Sequence, residues 1–225
     1  MGVVKGLSNL TKQMEPNYED DGPKAKWFGI KDGQTAKIRF LQELDPDSEN
    51  YNEKSGLAFI GVEHANPSNY RKKALCSIED EGRCYGCEMH TLDPKAKWHQ
   101  KKRLYANVLA QNKDGELEVQ ILSQGMGAKA ITETVINYAG EVGSITNVNW
   151  SIKRTGSGVT DTSYSAFPMP TKGDAVDVSK YELYDLEKTA VRTVPYAEQE
   201  AFYMGNTTDS SSKDDESASS SKDIW

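Results

Sequence analysis

The sequence predicts a mainly β protein: a five-stranded Greek-key barrel of the oligonucleotide-binding (OB) type, with flanking helices and a disordered acidic C-terminal tail. Short segments of alternating apolar and polar residues recur between turn signals. One helical pattern falls between the fourth strand and the next. Both ends of the chain lack any sustained apolar period.

Residues 1–23 form a polar arm and linker with Pro16, Pro23 and the acidic run Glu19, Asp20, Asp21. Val3, Val4, Leu7, Leu10 and Met14 allow a short helix there, at about 3–14. The core is expected over 24–205. In TAKIRFLQEL (35–44), Ala36, Ile38 and Phe40 face one way and Lys37 and Arg39 the other, a half-buried strand. A loop at 45–56 leads to a second strand, GLAFIGVEH (56–64). RLYANVLAQ (103–111) and LEVQILSQG (117–125) alternate again and pair as a hairpin through Asp114-Gly115. Residues 126–143 carry Ala130, Ile131, Val135 and Tyr138 or Ala139 at helical spacing, with Gly140 or Gly143 near the end. VNWSIKRTGSG (148–158) is the next strand, and TSYSAFPMP (162–170) is an edge strand ended by prolines. Short helical patterns follow near 178–190 and 196–205. Residues 206–225 hold seven serines, five acids and two lysines, the composition of a disordered tail.

The formal charge is -7, which for the whole chain argues against a polyanion partner. Its distribution reverses that reading. Residues 64–112 carry nine basic and five acidic groups, and residues 161–225 carry six and thirteen. No run of 18 apolar residues exists and the N-terminus lacks a signal-peptide pattern, so a soluble intracellular protein is expected. No Walker loop, GxGxxG, GxSxG, HExxH or kinase motif occurs, and the carboxylates fall mostly in loops and tail, so no enzyme is expected.

The three cysteines lie within twelve residues, which favours metal binding over a disulfide framework. In the knuckle Cys84-Tyr85-Gly86-Cys87 the glycine permits a tight backbone, so two thiolates converge on one ion. Cys76 is the third thiolate, and a histidine completes a tetrahedral set for one structural Zn2+. His64 ends a strand and closes a loop back on Cys76, whereas His90 sits three residues after Cys87. His64 is favoured, and a ribbon-like subdomain is expected over 64–90.

The basic block overlaps this segment. Arg71, Lys72 and Lys73 precede Cys76, while Lys101, Lys102 and Arg103 follow the cysteines, and Tyr70, Tyr85, Trp98 and Tyr105 are interleaved. Charges that neutralise phosphates and rings that stack bases describe a single-strand groove. Lys37, Arg39, Lys153 and Arg154 form a second basic patch. The competing reading is a zinc-bearing RNA- or protein-binding adaptor in transcription or assembly.

These residues resemble one family: the zinc-containing single-stranded DNA-binding, or helix-destabilising, proteins of tailed bacteriophages. The resemblance covers most of residues 1–205. It rests on His64, Cys76, Cys84 and Cys87, on Arg103-Leu104-Tyr105-Ala106-Asn107-Val108, and on Ile152 to Gly158 followed by Tyr164. It implies an OB barrel with the zinc subdomain inserted between strands and His64 as fourth ligand. It also implies coating of single-stranded DNA during phage replication, recombination and repair in the host cytoplasm. The family's basic N-terminal arm mediates self-association along DNA; here the arm holds Lys5 and Lys12 against four acids. The acidic tail, with Asp214, Asp215, Glu216 and Asp223 before Ile224-Trp225, is implied to contact replication and recombination proteins.

Overall fold

The computed structural model describes residues 25–158, 161–170 and 177–205. The arm, its expected helix and the tail residues Asp214, Asp215, Glu216, Asp223, Ile224 and Trp225 lie outside the described residues.

Alternation along the chain produces seven antiparallel strands: β1 (Thr35–Phe40), β2 (Phe59–Asn66), β3 (Asn69–Leu75), β4 (Lys101–Gln111), β5 (Leu117–Gly125), β6 (Asn149–Thr155) and β7 (Ser163–Met169). Their order is β3-β2-β4-β1-β6-β7, with β5 branching from β4. The helices are α1 (Ile78–Glu81), α2 (Tyr85–Leu92), α3 (Thr132–Val142), α4 (Leu186–Thr189) and α5 (Tyr196–Met204).

The expected five-stranded OB barrel is not what forms. The sheet is open, because among the described residues no ladder joins β7 to β3 or β5. Strand β4 spends one edge on β5, from Arg103↔Gly125 to Gln111↔Leu117. Its other edge is divided between β2 over 101–105 and β1 over 108–110. The remaining edges bond to irregular segments rather than to one another. Phe28 N–H donates to Ile121 O at 2.9 Å, Leu75 N–H to Arg192 O at 2.8 Å, and Tyr164 N–H to Lys129 O at 2.8 Å. A covered edge has no need of closure. Strand β3 had no signal of its own, since NYRKKAL is charged and largely solvent-facing.

The β4–β5 hairpin turns at Asn112–Glu116, where Gly115 takes φ +85° and its N–H donates to Asn112 O. The predicted helix at 126–143 is shorter, beginning at Thr132, whose hydroxyl donates to Gly125 O, and ending at Gly143 in the left-handed region. The pattern near 178–190 yields a 3-10 turn at Val178–Lys180 and the single turn of α4. One face of the sheet buries Ile38, Phe40, Leu104, Val108, Leu122, Trp150 and Ile152 against Ile131, Val135 and Ile145. On the opposite face Tyr105 and Ile121 pack under Leu186, Ala190 and Val191. Glu43 is buried and accepts from Ser144 Oγ at 2.6 Å, Ile145 N at 2.9 Å and Thr146 N at 3.2 Å, tying the strand-to-strand connection to the end of β1. Among the described residues no helix is long and apolar enough to cross a membrane.

Candidate metal centre and nucleic-acid interface

His64 lies in β2 opposite Ala74, near the end of the β2–β3 hairpin. Cys76 follows β3, where its N–H donates to Val62 O at 2.8 Å. The chain then makes the single turn of α1, reverses at Gly82 (φ +69°) and enters α2 with Cys84 at its N-cap and Cys87 in its first turn. Ser77 fastens the reversal by donating its hydroxyl to Arg83 O at 2.6 Å. A Cβ at Gly86 would lie 2.3 Å from His64 Cγ, so only glycine lets α2 approach the imidazole.

The ligand atoms of His64, Cys76, Cys84 and Cys87 all lie within 4.8 Å of one another. His64 Nδ1 is 2.6 Å from Trp98 O, which assigns the proton to Nδ1 and turns the Nε2 lone pair inward, 3.3 Å from Cys87 Sγ. Cys76 Sγ and Cys87 Sγ are 3.5 Å apart. Zn–S bonds of about 2.3 Å and Zn–N bonds of about 2.0 Å give tetrahedral edges of roughly 3.8 Å for S···S and 3.5 Å for S···N. The donor set and its spacing fit one structural zinc ion. His90, the other candidate, is outside this cluster, and its Nδ1 is buried without a hydrogen-bond partner among the described residues.

The electrostatics also call for a cation. Burial pushes the Cys87 thiol up, and the neighbouring Cys76 and Cys84 sulfurs push further, to about 12. For Cys84 burial acts upward too, but the adjacent His64 side chain and hydrogen bonds from the Cys87 and Ser77 backbone outweigh it and bring the thiol down to about 6. Three thiols crowded around one point cannot all ionise without repulsion, and a divalent ion would remove that repulsion and release their protons. Gln100 Nε2 donates to Cys76 Sγ at 3.4 Å and to Cys87 Sγ at 3.6 Å on the exposed side of the cluster.

Residues with no sequence signal complete the support. Gln199 of α5 is fully buried; its amide donates to Ser77 Oγ and Val194 O, both at 2.9 Å, and accepts from Tyr85 N–H at 2.9 Å. One side chain thus bridges the residues that follow Cys76 and Cys84. Tyr203 stacks on Tyr85 at 6.0 Å and meets Trp98 edge-on at 5.1 Å. A helix more than a hundred residues away therefore closes over the metal site.

The predicted contact residues divide into two groups. Tyr70 is 56 % exposed, and Lys101 Nζ stands 4.7 Å from its ring centroid. Arg71 and Lys102 are exposed nearby on β3 and β4, and Lys37 and Lys153 are exposed on β1 and β6. Other residues are committed to the fold. Trp98 and Tyr105 are buried and offer no face to a base, and Tyr85 is half-buried between Trp98 and Tyr203. Arg39 is buried with its Nε donating to Thr146 O at 3.0 Å, and burial lowers its pKa. Arg103 donates to Ser123 Oγ at 2.8 Å, and Arg154 to Ile30 O at 3.0 Å. Lys72 sits over Phe202 at 5.1 Å, and Lys73 pairs with Glu63 at 3.7 Å. Phe167, absent from the predicted set, is 61 % exposed on β7.

Comparison of the chain with protein-family models, with curated proteins and with solved structures returns no match.

Proposed function

We propose that this protein binds and protects single-stranded DNA without strong sequence preference, as a zinc-containing helix-destabilising protein of a tailed bacteriophage. Its setting would be phage replication, recombination and repair in the host cytoplasm. The observation that carries this reading is the exposed Tyr70 ring with Lys101 over it, beside Arg71 and Lys102, on a hairpin anchored through His64 and Cys76 to the metal cluster. Tyr70 supplies a stacking face at roughly 1–3 kcal/mol per base, and the cations neutralise phosphates. Zinc, when bound, contributes folding energy; the chain's own residues make the contacts. A protein that binds single strands and not duplex lowers duplex stability by mass action. The acidic segment with Asp214, Asp215, Glu216 and Asp223 ahead of Ile224-Trp225 is assigned to partner contacts.

The test is affinity for oligo-dT and for duplex as a function of salt, with and without a chelator. Strong preference for oligo-dT, a log K that falls linearly with log salt, and weakened binding after chelation are expected. A flat salt dependence, or equal affinity for duplex, overturns the reading. Tight binding to one RNA element or one protein, with weak binding to oligo-dT, identifies an adaptor instead.

A further inference from the structure

The strands β1, β6 and β7 read TAKIRF, NWSIKRT and SYSAFPM, without a single acid in a chain that holds 34. Their inward positions, including Ile38, Trp150, Ile152 and Ala166, are in the core. Their outward positions form two in-register rows: Lys37↔Ser151↔Phe167 and Thr35↔Lys153↔Ser165. Lys37, Lys153, Ser165 and Phe167 are all exposed. Because Arg39 turns inward to Thr146, the positive charge of this face belongs to the two lysines.

We propose that this face is a second contact surface for single-stranded nucleic acid, with Phe167 as its stacking platform and Lys37 and Lys153 as its phosphate contacts; the proposal rests on the function stated above. Strands about 4.8 Å apart place the Lys37 Cα roughly 10 Å from that of Phe167, and Lys153, one strand nearer and two residues along, about 8 Å away. The ring's neighbours are Ser151 across the sheet and Ser165 and Met169 along β7; the two serines are short, Met169 is half-buried, and the ring keeps 61 % of its surface exposed. A flat exposed ring with two point cations on strands that carry no acid fits a base with its flanking phosphates. It is separate from the Tyr70 hairpin: Tyr70 and Lys101 belong to the β3-β2-β4 half of the sheet, whereas Phe167 lies on the terminal strand beyond β1 and β6.

The experiment measures oligo-dT affinity of the full chain and three variants: Phe167→Leu, the double variant Lys37→Ala/Lys153→Ala, and Tyr70→Ala as a marker of the hairpin. Phe167→Leu should keep the wild-type melting temperature and lose about tenfold in affinity. The double lysine variant should lower the slope of log K against log salt by about 1.4, as two lost single-strand phosphate contacts require. An oligonucleotide carrying 5-iodouracil should crosslink at Phe167. If the wild-type chain binds oligo-dT, Tyr70→Ala weakens it and the other variants bind normally, this inference is overturned while the function stands. If the wild-type chain does not bind, the function fails and this inference with it. Tighter binding by Phe167→Leu would mean that the acidic segment 206–225 occupies the face, and a changed oligomeric state at unchanged affinity would mean that a second copy does; either overturns the proposal.

Discussion

The metal centre and the Trp150 core lie on one sheet but are ordered by different forces. Around the metal, α1 is four residues long and has no buried residue, and α2 buries only Gly86. Isolated helices of that length are unstable in water, so their order comes from the ligands that bracket them and from the packing of Tyr85 and Met89 on the Trp98–Tyr203 cluster. Around Trp150 the opposite holds. Phe40 and Tyr138 meet its ring edge-on at 5.7 and 5.1 Å, its indole N–H donates to Ile145 O at 3.0 Å, and the surrounding Ile131, Val135 and Ile152 are fully buried. Apolar burial holds one region, whereas the other combines a small aromatic cluster of Ala74, Trp98, Val194, Phe202 and Tyr203 with the metal ligands. The contrast explains how the basic hairpin is held: it stays charged and exposed over Tyr70 and Arg71, contributes only Ala74 to the neighbouring cluster, and is tied down further by His64 and Cys76.

The largest effect expected is the loss of zinc. Chelation, or Cys84→Ala, should lower the melting temperature by at least about 10 °C, as the loss of several kcal/mol from a domain of this size implies. Amide exchange should localise the damage: residues 77–92 and 196–203 lose protection, while 104–110 and 150–152 keep it. Simultaneous loss in both would show that the two regions are one cooperative unit. The converse break is Trp150→Ala, expected to cost about 3–5 kcal/mol in urea denaturation while the folded fraction still holds one zinc per chain. Gly86→Ala probes the seam of the metal region, because its methyl group would meet His64 Cγ at 2.3 Å. A cost of about 2–4 kcal/mol with weakened zinc binding is expected. Gly82→Ala, strained only by its φ of +69° with open space around the Cβ, should cost about 1 kcal/mol and leave zinc affinity unchanged.

At neutral pH no effect is expected from the ionisation of Tyr105, on the face opposite Trp150; its contribution shows only in alkali. Burial foremost, then the Glu63 carboxylate that accepts its hydroxyl at 2.9 Å, raises its pKa well above the ordinary tyrosine value. A phenol with a raised folded pKa stabilises the fold fully below pH 10 and progressively less as pH rises beyond it. Tyr105 should therefore contribute a fall of roughly 1.4 kcal/mol per pH unit above 10, which Tyr105→Phe should subtract, leaving the part due to Tyr203, whose pKa burial likewise raises. Urea midpoints between pH 9 and 11.5 decide it; an unchanged slope in Tyr105→Phe would assign alkaline sensitivity to other groups.

Much of the metal site was legible because coordination chemistry constrains residue type and spacing together. A CxxC knuckle with a nearby third cysteine and a strand-borne histidine leaves few other uses. Strand β6 was legible because it has a buried and a more solvated side, which writes a two-residue period into the chain. Strand β4, buried on both faces from Leu104 to Ala110, was legible as well, because Leu104, Ala106 and Val108 enter the aliphatic core while Tyr105 and Asn107 meet polar partners on the other face. Strand β3 was not, since Tyr70, Arg71, Lys72 and Lys73 carry charge and exposure where a period would show. Gln199 carried no signal either, because a buried glutamine in a helix is identical in sequence to a solvated one.

The sequence by itself determined the three thiolates of the zinc ion, with His64 favoured over His90 as the fourth ligand, the separation of basic and acidic charge along the chain, and the inward side of β6. Only the tertiary structure decided whether the sheet closes and which rings reach solvent. Alternation records that a residue has a buried side but not what covers the other one. Tyr105 and Phe167 both sit at outward strand positions; Leu186 and Val191 pack in the cluster that buries Tyr105, while Phe167 stays exposed. Closure likewise depends on what bonds to the sheet's free edges. Here the backbone at Lys26, Phe28, Lys129 and Arg192 does so, and those partners lie up to more than a hundred residues away from the strands they cover. Local patterns cannot encode contacts of that range, so an open sheet and a barrel share one alternation.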